Sequence, residues 1–272
     1  MGNAIYLNAL WFLTVITTNV LQYEDVGNLT LAVSVASVVY TVQMYGVRNF
    51  QSSDVTYQYS PEDYLHMRYI TIALGWLVAG IICAVLGYSQ TVILAVSFYV
   101  LILTADSFSD VLYGDIQRAG RLEVAGYSIV ARGIVILLTF TLAILKFRNL
   151  NTALACAAAG ALLYSAAVDL YFHRKITPKC ASHSLNYAFG ILKACFPLFI
   201  AALIAALNSN FPRVVLERCN GAETLGYYGN ISTAFMLVTT FTTALLVAFL
   251  PKYGHAVKNN DFREMYRIWL KQ

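Results

Sequence analysis

Long apolar runs, separated by short polar segments, follow one another along the whole chain. At a helical rise of about 1.5 Å per residue, a run of about 20 residues crosses roughly 30 Å of hydrocarbon. The runs are continuous and lack the two-residue alternation of membrane β-strands, so the pattern predicts α-helices. We place eight spans at about 3–21, 29–47, 69–88, 91–113, 124–145, 152–172, 185–207 and 227–250. The predicted fold is an all-α, polytopic membrane helix bundle.

Composition and motifs narrow the class of protein further. Of 272 residues, 59% are hydrophobic and 12% are charged, whereas an average soluble domain is roughly 25% charged. This excludes an ordinary soluble enzyme, a disordered chain and a disulfide-linked secreted module. The five cysteines lack metal-type spacing, no nucleotide-binding or hydrolase motif occurs, and no run of like charge suggests nucleic acid. We therefore expect no enzyme activity, no metal and no cofactor.

The distribution of Lys and Arg predicts the orientation. With the N-terminus in the cytoplasm, twelve of the eighteen basic residues fall in inside segments and four in outside segments. Arg132 and Lys193 lie within spans. Because basic residues concentrate on the cytoplasmic side, we expect a multi-pass plasma-membrane protein with a cytoplasmic N-terminus.

A five-residue pattern occurs twice, 199 residues apart. It reads Glu24-Asp25-Val26-Gly27-Asn28 before the second span and Glu223-Thr224-Leu225-Gly226-Tyr227 before the eighth. Both copies are expected in outside turns, which suggests two parallel halves. Residues 1–180 would form a six-helix bundle, and residues 181–272 would supply the first two helices of an incomplete second bundle. The alternatives are chance similarity and a complete eight-span protein.

Two segments carry a resemblance to a transporter family. The first is the stretch Tyr45-Gly46-Val47-Arg48-Asn49-Phe50-Gln51-Ser52-Ser53-Asp54, followed by Tyr64 and Arg68. It resembles the loop between the second and third spans of Wzx-type polysaccharide flippases. The second, Leu225-Gly226-Tyr227-Tyr228-Gly229, is similar to the matching site in their second half. This chain is shorter than family members, which have about twelve to fourteen spans.

The resemblance implies a fold and a function. The family belongs to a superfamily that includes the MATE drug exporters and the lipid II flippase, with two six-helix bundles around a central cavity. Its members move undecaprenyl-pyrophosphate-linked oligosaccharide across the bacterial plasma membrane. The implied partners are this lipid-linked oligosaccharide, membrane lipids, and the polymerase and glycosyltransferases of polysaccharide synthesis.

Charged residues inside spans are the candidate functional residues, because they are costly in hydrocarbon. Arg132 and Lys193 lie at similar depths in the fifth and seventh spans, which suggests a clamp on the pyrophosphate. Structural pairing or snorkelling of both side chains is the alternative. Arg48 and Asn208 complete the predicted substrate-binding set.

Three aspartates in spans have more than one interpretation. Asp106 and Asp110, four residues apart on one helix face, could pair with Arg132 or take up a proton during transport. Asp169, near the inside end of span six, is expected to form an interfacial ion pair with Arg174 or Lys175, and a catalytic role is the alternative.

Three other functions compete with a flippase. A cation-coupled MATE-type drug exporter would favour a carboxylate in an early span, and spans one to three have none. A membrane polymerase or ligase needs a larger outer loop than the predicted one near Asn208 to Glu223. A non-transporting truncated remnant is the third.

Overall fold

The computed structural model describes residues 2–54, 58–177 and 185–258, in which the regular elements are α-helices and one short π-helical segment. The all-α prediction is confirmed. The elements are α1 (Gly2–Val20), α2 (Tyr23–Met44), α3 (Val47–Ser53), α4 (Pro61–Leu86), α5 (Gln90–Arg118), α6 (Leu122–Phe147), α7 (Leu150–Tyr164), the π-helical segment (Ser165–Asp169), α8 (Leu170–Ile176) and α9 (Leu185–Lys258).

Six helical segments among the described residues are long and apolar enough to cross a membrane, as a multi-pass protein requires. They are α2, α4, α5, α6, the continuous segment Leu150–Ile176 and the part Tyr187–Ser232 of α9. In α1, the apolar stretch is the shorter Ala9–Val20. For most of the predicted eighth span, the structure does not describe the side chains. The boundary proposed at residue 180 lies outside the described residues.

Local sequence signals explain where several helices begin and end. Ser60 caps α4 by accepting the Asp63 amide at 3.2 Å, while Asp63 Oδ2 accepts the Ser60 amide at 2.9 Å. Pro61 then occupies the first turn, where its missing N–H costs nothing. Gly87 ends α4 with a φ of 58°, a left-handed conformation that glycine adopts without strain.

The structure corrects two predicted loops. The inside loop from Arg48 to Arg68 contains α3 and the first turns of α4, so Arg68 lies on a membrane-spanning helix and is buried. The outside loop predicted near Asn208 to Glu223 is reduced to a kink: the residues on both sides of Gly221 are helical within α9, and two helices meet at Gly221 (φ 83°, ψ 171°). Both errors arose because polar residues were taken to mark helix ends.

Three glycines bring α2 and α9 into close contact, and we call this contact the glycine seam. A side chain on Gly27 would overlap the Ala222 backbone, and one on Gly226 would overlap the Tyr23 backbone. A side chain on Gly229 would overlap Thr30, and the Tyr23 and Tyr227 rings stack with centroids 4.2 Å apart. Glycine permits such an approach because it has no Cβ.

The glycine seam joins the two copies of the repeated pattern. Both copies are helical, in α2 and α9, rather than the turns that the sequence suggested. Gly27 and Gly226 are 199 residues apart, as are Tyr23 and Ala222, so the two glycine–backbone contacts are equivalent under the repeat. The arrangement of the whole chain as two halves stays a prediction.

Candidate functional site

Helix α5 carries a row of carboxylates, each joined to at least one basic side chain. The carboxylates of Asp106, Asp110 and Asp115 contact basic side chains on α3, α4, α6 and α8. Since α5 also packs against α2 and α7, it lies at the centre of the described helices. We call this set of ion pairs the α5 ionic core.

Arg132, on α6, is held between two carboxylates and two aromatic rings. One guanidinium nitrogen is ion-paired with Asp106, and Nη1 lies 3.6 Å from Asp169 Oδ2. The Arg132 Cζ lies 5.1 Å from the centroid of the Tyr6 ring and 5.6 Å from that of Tyr113, within cation–π range. Only 1% of the Arg132 side chain is exposed. The pairing of Asp106 with Arg132, one of the two predicted roles, is therefore present.

Asp169 belongs to this cluster, and its predicted interfacial pairing is wrong. Asp169 is buried and accepts hydrogen bonds from Ser109 Oγ at 2.6 Å and from Ser128 Oγ. Arg174 and Lys175, its expected partners, are exposed. Asp169 ends the π-helical segment, whose extra residue shifts the register of the helix, so a count at 3.6 residues per turn misplaces it.

Asp110 anchors two other arginines. Its Oδ1 lies 2.7 Å from Arg48 Nη1 and its Oδ2 lies 3.3 Å from Arg68 Nη2. Arg68 also donates to the Gln43 carbonyl oxygen, and its side chain is fully buried. Arg48 also donates to Gln117 Oε1 at 3.1 Å, and 24% of its side chain is exposed. Asp110 is thus paired with Arg48 and Arg68 and not with Arg132.

The motif that carries the flippase resemblance therefore reaches α5 at several points. Arg48 contacts Asp110, and Gln51 Nε2 donates to Asp115 Oδ1 at 2.9 Å. Asp54, the last residue of the motif, accepts from Arg118 at 3.1 Å. Arg68, which follows the motif, was assigned to a loop by its charge alone. The sequence did contain one signal that Arg68 belongs to the site, because Arg68 follows the motif in the segment that carries the resemblance.

A third cluster lies towards the end of α5. Arg118 lies 3.1 Å from Asp54 Oδ2 and 3.3 Å from Asp115 Oδ1. His173 Nε2, from α8, lies 3.0 Å from Asp115 Oδ2. These contacts fix α3, α8 and the segment after α3 against the end of α5.

The formal charges of the first two clusters compensate one another. One arginine, Arg132, faces the carboxylates of Asp106 and Asp169, whereas one carboxylate, Asp110, faces Arg48 and Arg68. Asp106 and Asp110 are a helical turn apart, so the surplus negative charge lies beside the surplus positive charge. An added anion would meet the positive side at Arg48, the most exposed of the three arginines.

The other two predicted substrate-binding residues lie on α9. Lys193 and Asn208 are both exposed. Lys193 forms no ion pair within the described residues, and no contact there joins it to Arg132. Helix α6 does not pack along α9 in the described part of the chain. The structure thus places Arg132 in the α5 ionic core and Lys193 on an open helix face.

Comparison with known proteins identifies a distant relative. The chain is 26% identical over 255 residues to the capsular polysaccharide biosynthesis protein CapF of Staphylococcus aureus. The match covers 91% of this chain and 62% of the relative, so the chain spans less than two thirds of that protein's length. No family model matches, and no solved structure matches significantly. The chain is a multi-pass membrane protein distantly related to a capsular polysaccharide biosynthesis protein.

Proposed function

We propose that the protein moves undecaprenyl-pyrophosphate-linked oligosaccharide across the bacterial plasma membrane for polysaccharide synthesis. The observation that carries the proposal is the α5 ionic core, which holds arginines between membrane-spanning helices. Ionisable groups are retained at such depth chiefly for function. A pyrophosphate needs cationic donors, and a guanidinium can bind two phosphate oxygens at once. The name of the distant relative supports a role in polysaccharide synthesis.

The differences in exposure suggest separate roles for the cations. Arg48 and Lys193 are accessible and would meet the pyrophosphate first. Arg132 is buried between carboxylates. To bind a phosphate oxygen, it would have to exchange Asp106 for the anion during transport. In this form of the proposal, the clamp of Arg132 and Lys193 is assembled only in another conformation.

Glycan export per folded transporter tests the proposal. In a strain that lacks its own flippase, R48Q/K193Q should lower export at least tenfold, because each lost phosphate contact costs about 1.5–3 kcal/mol. Membrane abundance should be unchanged, since both side chains are accessible. The charge-preserving R48K/K193R should export more than the Gln pair, and K146Q, at the far end of α6, should be normal. Normal export per molecule by R48Q/K193Q would contradict the proposal.

Cation-coupled drug export is the second candidate, because the Asp106 and Asp110 carboxylates are each 14% exposed and accessible to a cation. The same strains distinguish the two functions. A drug exporter would lower the sensitivity of a pump-deficient strain to cationic dyes without restoring glycan export. D106N would abolish that effect.

The orientation with a cytoplasmic N-terminus is part of the proposal. Single cysteines in place of the exposed Gln58 and Glu223 can report it in a cysteine-free background. Ser60 is unsuitable because it is buried and caps α4. An impermeant thiol reagent should label Glu223→Cys in intact cells and Gln58→Cys only after lysis. The reverse pattern would invert the orientation.

A further inference from the structure

A cavity of about 350 Å³ opens where α5 ends, α6 begins and α8 ends. Two of its lining residues are basic, and the others are apolar. The lining residues are Ala119, Arg121, Val124, Phe172, Lys175 and Ile176. A pocket lined by two cations and by apolar side chains suits a ligand that is both anionic and apolar.

The backbone fixes Arg121 at this cavity. The Arg121 amide donates to the Ile116 carbonyl at 3.1 Å, and the Gly120 amide donates to the Gln117 carbonyl at 2.9 Å. These two bonds form a Schellman motif, in which Gly120 has a φ of 77°. Helix α6 then begins with Arg121 at its N-cap, and no side chain caps its first amides. The helix dipole adds partial positive charge at this end of α6, where the first turn also carries the exposed Glu123.

The basic residues of the cavity differ from those of the α5 ionic core in having no counter-ion among the residues that the structure describes. Neither Arg121 nor Lys175 forms an ion pair with a described residue, and both are exposed. The four arginines around α5 all lie within 4 Å of a carboxylate. The charge at the cavity is therefore available to a ligand.

The surroundings place the cavity where lipid headgroups lie. It sits at the ends of helices that are long enough to cross the membrane. Tyr127 on α6 and Tyr171 on α8 are neighbours of the lining residues in sequence and are 78% and 58% exposed, and Leu122 beside Arg121 is 55% exposed. Exposed tyrosines near helix ends are typical of the membrane–water interface, and basic pockets between helix ends bind anionic headgroups.

We propose that this cavity binds an anionic phospholipid, with Arg121 and Lys175 on the headgroup phosphate and the acyl chains against the apolar walls. The site does not depend on what the protein transports. In the orientation proposed above, the lipid belongs to the cytoplasmic leaflet. Its binding would fix the junction of α5, α6 and α8, next to the contact between His173 and Asp115.

Native mass spectrometry of the purified, delipidated full chain tests this site. The probes are phosphatidylglycerol, phosphatidylcholine with the same acyl chains, and inorganic phosphate. The wild-type protein should prefer phosphatidylglycerol, and R121Q/K175Q should lose roughly 30-fold in affinity for it, as expected for two charges near an anionic headgroup. R121K/K175R should keep the preference, and so should K146Q/R148Q, which removes two charges at the other end of α6.

Two further experiments distinguish a phospholipid site from a site for a simple anion. V124W fills the cavity but keeps both cations, and it should weaken phosphatidylglycerol binding even if R121Q/K175Q does not fold. Millimolar inorganic phosphate should not displace the lipid, because phosphate gains nothing from the apolar walls. An unchanged preference in folded R121Q/K175Q or in V124W would overturn the proposal. Displacement by phosphate alone would show an anion site and would overturn the assignment to a lipid.

Discussion

The α5 ionic core and the glycine seam join helices in opposite ways. In the core, long side chains from α3, α4 and α6 reach carboxylates on α5 and fix each partner by charge. In the seam, α2 and α9 approach so closely that their backbones lie where side chains would otherwise be. No ion pair among the described residues joins α2 to α9. The α5 ionic core therefore depends on matched charges, whereas the glycine seam depends on the absence of side chains at its glycines.

This difference separates the contacts that resist rearrangement from those that permit it. A buried ion pair that loses one partner leaves a charge uncompensated in a medium of low dielectric constant. Any movement within the core must therefore exchange charge partners. A displacement of α9 along α2 would break no ion pair in the described part of the chain. It would cost packing contacts and the contacts of Arg218 with the Leu86 carbonyl oxygen and the Tyr88 ring. We expect conformational change to use the seam before the core.

Breaking the core should have the largest effect. R132Q removes the cation between Asp106 and Asp169, and we expect it to lower the free energy of unfolding by about 3–5 kcal/mol. Unfolding in mixed micelles with increasing SDS measures this loss. K146Q, an exposed charge on the same helix, should change stability little. The double variant D106N/R132Q should lose less than the sum of its single variants, and strict additivity would contradict the ion pair.

Adding one methyl group to the seam should have the next largest effect. G27A and G226A place a Cβ within the backbone of the opposite helix, so we expect each to cost about 1–3 kcal/mol. The matched control is G80A, on α4, where a Cβ meets nothing within 4 Å. Since alanine is the better helix former, G80A should be neutral or stabilising by up to about 1 kcal/mol. Equal effects at Gly27 and Gly80 would show that the seam is not tightly packed.

Arg48 and Arg68 share Asp110 as their partner, and we expect the more buried arginine to contribute more to stability. R68Q removes a fully buried guanidinium and should cost about 2 kcal/mol, as expected for hydrogen bonds to a charged group. R48Q removes a side chain that is 24% exposed, so solvent screening should keep its cost below about 1 kcal/mol. The same unfolding assay compares them, with D110N as the shared reference. If R48Q were more destabilising than R68Q, exposure to solvent would not determine how much each arginine of the core contributes to stability.

The sequence predicted the helices well because an apolar run long enough to cross a membrane has few alternatives. It failed where polar side chains are buried. Arg68 was placed in a loop because of its charge, although Asp110 and the Gln43 carbonyl oxygen satisfy that charge inside the bundle. The pairing of Asp106 with Arg132 could be proposed because both residues lie inside predicted neighbouring spans. The pairing of Arg68 with Asp110 could not, because Arg68 was placed outside the spans.

The glycine seam shows a different limit. The repeated pattern identified Gly27 and Gly226 as equivalent, but equivalence does not imply contact. Their approach depends on how α9 lies against α2, which no local signal specifies. Asp169 was misplaced for a local reason, since the π-helical segment changes the register within one turn.

We expect the Tyr23–Tyr227 stack to contribute least to stability. Measuring its contribution shows which contacts hold the glycine seam together. The rings are 38% and 47% exposed, so their coupling in a double-mutant cycle of Y23A and Y227A should be near the low end of about 0.5–1.5 kcal/mol. Y23F/Y227F should keep that coupling, because stacking needs the rings and not the hydroxyls. A coupling larger than the cost of G226A would mean that aromatic contacts stabilise the seam. In that case, the close approach of the backbones would be a consequence of the stack, and the contrast with the α5 ionic core would become one between ring contacts and ion pairs.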